Sequence, residues 1–245
     1  MKKIIIIGAS SGLGMRIATD FARMGWRVGV AARREEPLKA LHDLYPAQVA
    51  YHTIDVRTVD AVERFNHLIE LTDGMDVLLF ASGIGFADPD LRQSKLIDML
   101  ETNVVGFARI LAEAYKYFRR TATDGAGQIA AITSVAGTKG IGVAAGYSSS
   151  KRFQQTFIDS LEQLAHRQAV DVKFTDIRPG FVRTPLLDTT RSYPMIMSVD
   201  YVAPLIEEAI LRKRRVAYID WRWGLLTGAW RLMPQWLWAR LPVSL

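Results

Sequence analysis

Short apolar runs rich in β-branched residues alternate along the chain with longer stretches in which apolar residues recur every three or four positions. The first run is a lysine followed by four isoleucines, and it ends at Gly8. Such runs are typical of strands buried on both faces of a parallel sheet, and the periodic stretches between them predict helices. The alternation predicts a doubly wound, three-layer α/β fold of the Rossmann type with about seven mostly parallel strands. The predicted strands are residues 3–7, 27–31, 49–54, 76–80, 128–133, 171–177 and 216–219.

Composition narrows the class of protein. A chain of 245 residues with 49% hydrophobic and 23% charged residues fits one globular domain and excludes a disordered chain. The formal charge of +6 comes without a basic arm or zinc-finger spacing, so we expect no nucleic-acid partner. The absence of cysteine excludes disulfides and thiolate metal sites, and we expect no metal. The N-terminal apolar run is too short for a signal peptide, which favours a cytoplasmic protein.

A glycine-rich turn lies between the first strand and the first helical stretch. Gly8 permits a tight turn, Gly12 lets phosphates approach the backbone, and Gly14 allows close packing of the helix, whose N-terminus offers free N–H groups to a pyrophosphate. The turn therefore predicts a dinucleotide site. Its spacing, G-x-x-x-G-x-G, resembles that of the short-chain dehydrogenase/reductase family. The predicted contacts in this turn are Gly8, Ser10, Ser11, Gly12, Leu13 and Gly14.

The end of the second strand indicates which dinucleotide binds. Ala32 stands where an NAD-dependent enzyme would carry a carboxylate for the ribose 2′-hydroxyl, and Arg33 and Arg34 follow it. A 2′-phosphate is instead recognised by a guanidinium. We therefore expect NADP(H), with NAD(H) as the alternative. The resemblance implies that Arg33 contacts the phosphate, helped by Ser10 and more weakly by Arg34.

Three further residues predict proton chemistry. Tyr147 and Lys151 are four residues apart in a helical stretch, so the phenol and the ammonium share one face. Hydride transfer to a carbonyl creates an alkoxide that needs a proton, and a free tyrosine with a pKa of about 10 is too basic to exchange one readily. The ammonium and a positively charged nicotinamide are expected to lower the tyrosine pKa. Ser134, at the end of the fifth strand, can donate a hydrogen bond to the substrate oxygen.

With these residues in order, the resemblance to the short-chain dehydrogenase/reductase family extends over residues 4–219 and implies further contacts. Asn103 would anchor a proton-relay water beside the lysine, and Asp55 with Val56 would contact the adenine. The family's Asn-Asn-Ala-Gly after the fourth strand is replaced by Phe80-Ala81-Ser82-Gly83, so the side chains that brace the sheet there are absent or supplied elsewhere. The remaining cofactor contacts implied by the resemblance are Ala81, Gly83, Pro179, Gly180, Val182 and Thr184, together with Tyr147 and Lys151.

The resemblance also implies a small-molecule carbonyl or alcohol substrate and a homodimer or homotetramer that packs through helices 95–118 and 147–167. The leading hypothesis is an NADP(H)-dependent oxidoreductase of the short-chain dehydrogenase/reductase class that acts on CH–OH groups. The alternative is a dinucleotide-binding regulatory or scaffold protein that has lost turnover, although such proteins usually carry a damaged tyrosine or lysine and both are intact here.

Two segments near the C-terminus differ from the rest of the chain. The resemblance implies that residues 186–198, with Tyr193, Met195, Ile196 and Met197, form a mobile substrate lid. Their apolar character suits a hydrophobic or adaptable substrate, and a plain surface loop is the alternative. Residues 221–245 hold five of the six tryptophans, and Pro234 interrupts any helix there. This tail could be a flap over the substrate or a partner subunit, a peripheral membrane contact, or an extension of the core. Its arginines, nine residues apart, turn to opposite sides of a helix, and no clean polar stripe is predicted.

Overall fold

A seven-stranded sheet lies at the centre of the protein, in the order β3-β2-β1-β4-β5-β6-β7, and each neighbouring pair is parallel. The computed structural model describes residues 1–121, 127–187, 192–241 and 243. This sheet, with helices on both faces, confirms the predicted doubly wound α/β fold. The strands are β1 Lys3–Ile7, β2 Arg27–Ala32, β3 Val49–Thr53, β4 Val77–Phe80, β5 Gly127–Ile132, β6 Val172–Pro179 and β7 Val216–Ile219.

Alternating residues of β1 divide the core into two layers. Ile4 and Ile6 pack with residues of α1, α2 and α7, whereas Ile5 and Ile7 pack with residues of α3, α5 and α6. All four isoleucines are at most 1% exposed, as expected for a strand covered on both faces. The helices are α1 Gly12–Arg23, α2 Glu35–Leu44, α3 Ala61–Leu71, α4 Gln93–Leu100, α5 Phe107–Thr121, α6 Ala145–Arg167, α7 Val199–Leu211, α8 Trp221–Leu232 and α9 Gln235–Trp238.

Two predicted elements differ from the structure. The sixth strand continues to Pro179, so this proline belongs to β6 and not to the loop after it. The predicted helix 95–118 is interrupted by a π-helical segment, Glu101–Gly106, between α4 and α5. Its wider turn places Thr102 and Asn103 inside the protein, where the Asn103 amide pairs with the backbone of Ile84.

The strand order determines where a ligand can bind. β1 lies between β2 and β4, so the connections after β1 and β4 leave toward opposite sides of the sheet. In open parallel sheets, ligands bind at such a switch point, beside the carboxyl ends of the strands. Within the described ranges, no helix is long and apolar enough to cross a membrane.

Candidate active site

A cavity of about 960 Å³ lies at the carboxyl ends of β1, β4, β5 and β6. Nearly all of the site residues predicted from the sequence line it, from Gly8 in the first turn to Thr184 after β6. Asn103 is the exception, because it is fully buried behind the cavity wall. The fold therefore brings together side chains that are up to 176 positions apart in the chain.

The turn after β1 is built so that only glycine fits at two positions. Gly8 has a φ of +97°, and a Cβ there would lie 2.5 Å from the Ser82 nitrogen. A Cβ on Gly14 would lie 2.2 Å from the Gly8 carbonyl oxygen. Neither backbone atom can move away cheaply, so these glycines keep β4, the turn and α1 in close contact. The first turn of α1 consequently faces the cavity, and its free N–H groups can bind an anion there.

The two arginines after β2 have different environments. Arg34 precedes α2 and donates to the Oγ of Ser10 at 3.1 Å and to its carbonyl oxygen at 3.3 Å. Arg33 is exposed at the edge of the cavity and has no hydrogen bond or ion pair with any described residue. Its guanidinium is therefore available to a ligand. Glu35 accepts a hydrogen bond from Tyr51 on β3 at 3.5 Å.

The predicted adenine-side residue Asp55 is already paired within the protein. Both of its carboxylate oxygens accept from the Arg57 side chain, at 2.7 to 3.1 Å, and Oδ1 also accepts from the Arg57 backbone N–H. This hydrogen bonding holds the pKa of Asp55 below its usual value. Val56 and Asp55 line the cavity, as does Arg33, whose charge also favours the Asp55 carboxylate.

Ser134, Tyr147 and Lys151 lie close together in the lining of the same cavity. Ser134 lies just beyond β5 and begins a turn of 3₁₀-helix, in which its Oγ accepts from the Ala136 N–H at 3.1 Å. Tyr147 and Lys151 are in the first two turns of α6, and the Lys151 Nζ lies 5.8 Å from the centre of the Tyr147 ring. The ring packs so closely on Gly85 that a Cβ there would lie 2.4 Å from it.

Burial controls the electrostatics of this group. Burial raises the pKa of the Tyr147 phenol, and the Ser134 hydroxyl offsets this rise in part. The sequence-based expectation of a lowered tyrosine pKa is therefore wrong for the protein groups by themselves, because burial outweighs the lowering by neighbouring groups. Burial also lowers the pKa of Lys151 to about 8, against the opposing effect of the Asp176 carboxylate. At pH 7 the ammonium form still predominates.

Lys151 and Asn103 are connected through a side chain that the sequence analysis missed. Gln154 accepts a hydrogen bond from Lys151 Nζ at 3.0 Å and donates to the Asn103 carbonyl oxygen at 2.9 Å. The Asn103 side chain is bonded to both the N–H and the carbonyl of Ile84, at 3.0 and 2.7 Å, and to the Ser150 hydroxyl. Asn103 thus braces the chain after β4, where the expected asparagines are missing.

A buried ion pair beneath the site was also missed. Asp176 and Arg178 lie on β6, and their side chains are 0% and 6% exposed. Asp176 accepts from Arg178 Nε at 2.7 Å and from the Thr133 hydroxyl at 2.5 Å, and Arg178 also donates to the Tyr218 hydroxyl. The signal was present in the sequence as Asp-Ile-Arg, since alternate strand residues share a face.

The loop after β6 closes the cavity near the glycine turn. Val182 is buried and pairs with Met197 in an isolated parallel bridge. The Thr184 side chain would lie 3.3 Å from a Cβ on Gly12, so this loop touches the turn after β1. Of the predicted lid 186–198, residues 188–191 lie outside the described residues. Tyr193 packs on Phe181 with ring centres 4.8 Å apart.

The part of the cavity next to α8 is mainly apolar. Trp223, Leu226 and Trp230 of α8 line it, together with Tyr193 and Met195 of the predicted lid. The Trp223 indole lies against the backbone of Gly180, where a Cβ would come within 2.1 Å of it. The inward side of the tail is thus part of the cavity wall. Two cations, Arg92 and Lys95, also line the cavity.

Comparisons with known proteins agree with this geometry. The family model described as short chain dehydrogenase matches residues 2–194. An uncharacterized oxidoreductase of Myxococcus xanthus is 31% identical over 240 residues, which cover 94% of this chain and 92% of that protein. A farnesol dehydrogenase of Aedes aegypti is 31% identical over 202 residues, covering 76% and 79% of the two chains.

Solved structures show the same fold. An alcohol dehydrogenase from Thermococcus sibiricus, complexed with 5-hydroxy-NADP, superposes with a TM-score of 0.75 at 27% identity and covers 89% of this chain and 94% of that one. A short-chain dehydrogenase from Sphingobium yanoikuyae in complex with NADPH has a TM-score of 0.77 at 21% identity, with 100% and 98% coverage. The second likeness includes the tail.

Proposed function

The chain belongs to the short-chain dehydrogenase/reductase family of NAD(P)-dependent oxidoreductases, and from this premise we propose that it transfers a hydride between NADP(H) and a carbonyl/alcohol pair, with Tyr147 exchanging the proton. One observation carries the proposal. Ser134, Tyr147 and Lys151 line the same cavity as the glycine turn and an unpaired Arg33.

The described residues fit a dinucleotide. The close contacts of Gly8 and Gly14 leave the first turn of α1 open to a pyrophosphate. Ser10, Ser11, Gly12 and Leu13 complete that cradle, and Asp55 and Val56 would contact the adenine. The backbone at Ala81 and Gly83 would run beside the adenine ribose. The Val182 backbone and Thr184 would hold the nicotinamide carboxamide, and Pro179 and Gly180 would contact the cofactor beside them. When bound, the cofactor supplies or accepts the hydride.

The protein's own residues would handle the proton. Ser134 donates a hydrogen bond to the substrate oxygen, where negative charge develops during reduction. Tyr147 gives its phenolic proton to that oxygen, and the product is the alcohol. The ammonium of Lys151 favours the phenolate that remains, which counteracts the raised pKa of the buried phenol. Gln154 accepts from the ammonium and is itself held by the Asn103 carbonyl oxygen. These hydrogen bonds connect the ammonium to Asn103, where the proton-relay water is predicted.

The preference for NADP(H) rests on Arg33. Its guanidinium has no partner among the described residues, and Ala32 offers no carboxylate to a ribose 2′-hydroxyl. Arg34, which is bonded to Ser10, would add positive charge nearby. The complex of the Thermococcus sibiricus relative with a modified NADP supports this assignment. NAD(H) is the alternative cofactor.

The substrate is proposed to be an apolar carbonyl compound or alcohol. Trp223, Leu226, Trp230, Tyr193 and Met195 all line the pocket. Such walls gain free energy by removing apolar substrate surface from water. The name of the Aedes aegypti relative, a dehydrogenase of farnesol, supports an apolar substrate class.

The protein is also proposed to form a homodimer or homotetramer. Ile97, Val105 and Leu164 are exposed on the helical segments predicted to pack against their copies. Light scattering of the purified protein would measure the mass in solution. A mass of one chain would contradict this part of the proposal.

The activity is tested by following NADPH and NADH absorbance with a panel of aldehydes, ketones and acyl compounds of increasing chain length. We expect oxidation of NADPH with at least one apolar carbonyl and a lower kcat/KM with NADH. NADPH binding without turnover across the panel would instead favour the regulatory or scaffold alternative.

A further inference from the structure

Helix α8 has two opposite apolar faces. Trp223, Thr227 and Trp230 follow each other at helical spacing and face the cavity or the core. On the other side lie Trp221, Leu225, Gly228 and Leu232, which we call the outer stripe. At 100° per residue these four positions fall within about 60° of one another around the helix. A helix of a water-soluble enzyme normally has a polar outer face, so the outer stripe needs an explanation.

The outer stripe is exposed. The side chains of Trp221, Leu225 and Leu232 are 69%, 68% and 86% exposed, and Trp236 of α9 adds another indole at 64%. Gly228 has nothing within 4 Å of the position of a Cβ. Single exposed apolar residues are common on protein surfaces, but several in one short segment mark an interaction site.

Within residues 221–245 all charged side chains are positive. Residues 221–245 contain three arginines and no aspartate or glutamate. Arg222 and Arg231 flank the stripe on its two sides, about 100° and −80° from Trp221 around the helix. Arg222 is paired with Asp220, whereas Arg231 has no ion pair among the described residues. Arg240 lies over the Trp236 ring at 5.8 Å.

Further cations lie beside this surface. Lys139 donates to the Met233 carbonyl oxygen, between α8 and α9, and lines a groove with Arg152 and Arg231. The acidic residue in that groove, Asp159, is paired with Arg215. The two arginines on opposite sides of the helix thus border the apolar outer stripe that lies between them.

We propose that the outer stripe, together with Trp236, docks the protein onto an anionic lipid bilayer surface. Tryptophan and leucine side chains partition into the interfacial region, and flanking arginines pair with anionic head groups. A second copy of the chain is a poorer occupant, since a symmetric contact would bring like-charged arginines together. Docking would place the outer side of the cavity wall against the lipid.

Sedimentation with vesicles tests this surface without relying on activity. The full-length protein is mixed with phosphatidylglycerol/phosphatidylcholine vesicles or with phosphatidylcholine vesicles alone. We expect binding to the anionic vesicles, at least about fivefold weaker binding to the neutral ones, and a decrease with added salt. Leu225→Ser/Leu232→Ser should weaken binding about tenfold or more, because the serines no longer bury apolar surface in the interface.

The matched control is Leu44→Ser/Leu211→Ser, which replaces two exposed leucines on other helices, α2 and α7. It should bind vesicles like the wild type. Circular dichroism and NADPH binding show whether each variant is folded. A wild type that stays in the supernatant with anionic vesicles overturns the proposal, and so does a serine variant that binds unchanged. Light scattering that shows the serine variant alone losing a dimer, without vesicle binding by the wild type, assigns the surface to a second copy.

Discussion

Replacing Asp176 by asparagine should destabilise the protein strongly. The carboxylate is fully buried on β6 and accepts hydrogen bonds from Arg178 and Thr133. Asparagine keeps the shape but leaves the buried guanidinium of Arg178 without its counter-charge. Breaking a buried ion pair from one side costs about 3 to 5 kcal/mol. Since the Tyr218 hydroxyl still accepts from Arg178, we expect about 3 kcal/mol.

Urea unfolding followed by circular dichroism measures this loss. For a chain of this size, about 3 kcal/mol corresponds to a fall in Tm of roughly 6 to 12 °C. The control is Asp43→Asn, which breaks the exposed Lys39–Asp43 pair on α2, and its effect should be too small to measure. A loss below about 1 kcal/mol for Asp176→Asn would refute the argument that the substitution leaves the Arg178 guanidinium buried without a counter-charge.

The same substitution should change the pH dependence of activity. The Asp176 carboxylate raises the pKa of Lys151, in opposition to burial, and the result is a value of about 8. With asparagine the pKa of Lys151 falls further, so the ammonium is lost at a lower pH. The alkaline limb of kcat/KM assigned to this lysine should move to lower pH. An alkaline limb that stays at the same pH would show that Asp176 does not influence the pKa of Lys151.

The remaining predictions concern pH, cofactor specificity and the turn after β1. Burial and the nearby Asp20 carboxylate raise the pKa of Glu207 from 4.5 to about 7, so the folded protein holds a proton that the unfolded chain has released. The contribution of this bound proton to the free energy of unfolding is fully present below about pH 4.5 and is lost as the pH rises through 7. It amounts to at most about 3 kcal/mol. Thermal unfolding should show Glu207→Gln losing less stability than the wild type between pH 5 and pH 8, and equal losses would contradict the assignment. Arg33→Ala should weaken NADPH binding about 10- to 100-fold in a fluorescence titration and leave NADH binding unchanged, because one charge-assisted contact is lost. Equal weakening of both cofactors would indicate a general defect. Gly14→Ala forces its Cβ against the Gly8 carbonyl oxygen, so we expect a loss of about 1 to 3 kcal/mol in stability and weaker NADPH binding, whereas the control Gly228→Ala should show neither effect.

The sheet could be predicted from the sequence because its signal is local. Each predicted strand ends within two residues of the observed one, and β1 and β7 agree at both ends. Parallel strands buried on both faces consist of continuous apolar runs, and those runs are visible without any knowledge of partners. The residues at the carboxyl ends of the strands follow from the strands, and so the cavity lining could be predicted as well.

Features that depend on distant partners could not be predicted. The π-helical segment around Asn103 forms together with hydrogen bonds to Ile84, 19 positions earlier. The connection from Lys151 through Gln154 needs the packing of α6 against that segment. The direction of the Tyr147 pKa was wrong because a spacing of four residues shows proximity to an ammonium but not the degree of burial.

Which face of α8 is covered could not be predicted from the sequence either. Its tryptophans were evident in the sequence, but a helix with apolar residues all round does not show which face is covered. The structure assigns Trp223 and Trp230 to the cavity wall and leaves Trp221 exposed. The interpretations of a flap and of a membrane contact consequently apply to opposite faces of α8.

The most direct test of the central claim is Tyr147→Phe, which removes one hydroxyl and keeps the ring packed on Gly85. With the best substrate from the carbonyl panel, the account predicts a fall in kcat/KM of about 10²- to 10⁴-fold, the usual contribution of general acid–base catalysis. NADPH affinity, measured by fluorescence titration, should stay within about threefold of the wild type, because a general acid acts on the reacting oxygen and not on the cofactor phosphates. A variant that binds NADPH normally and reduces the substrate at the wild-type rate would contradict the role of Tyr147 as the proton donor.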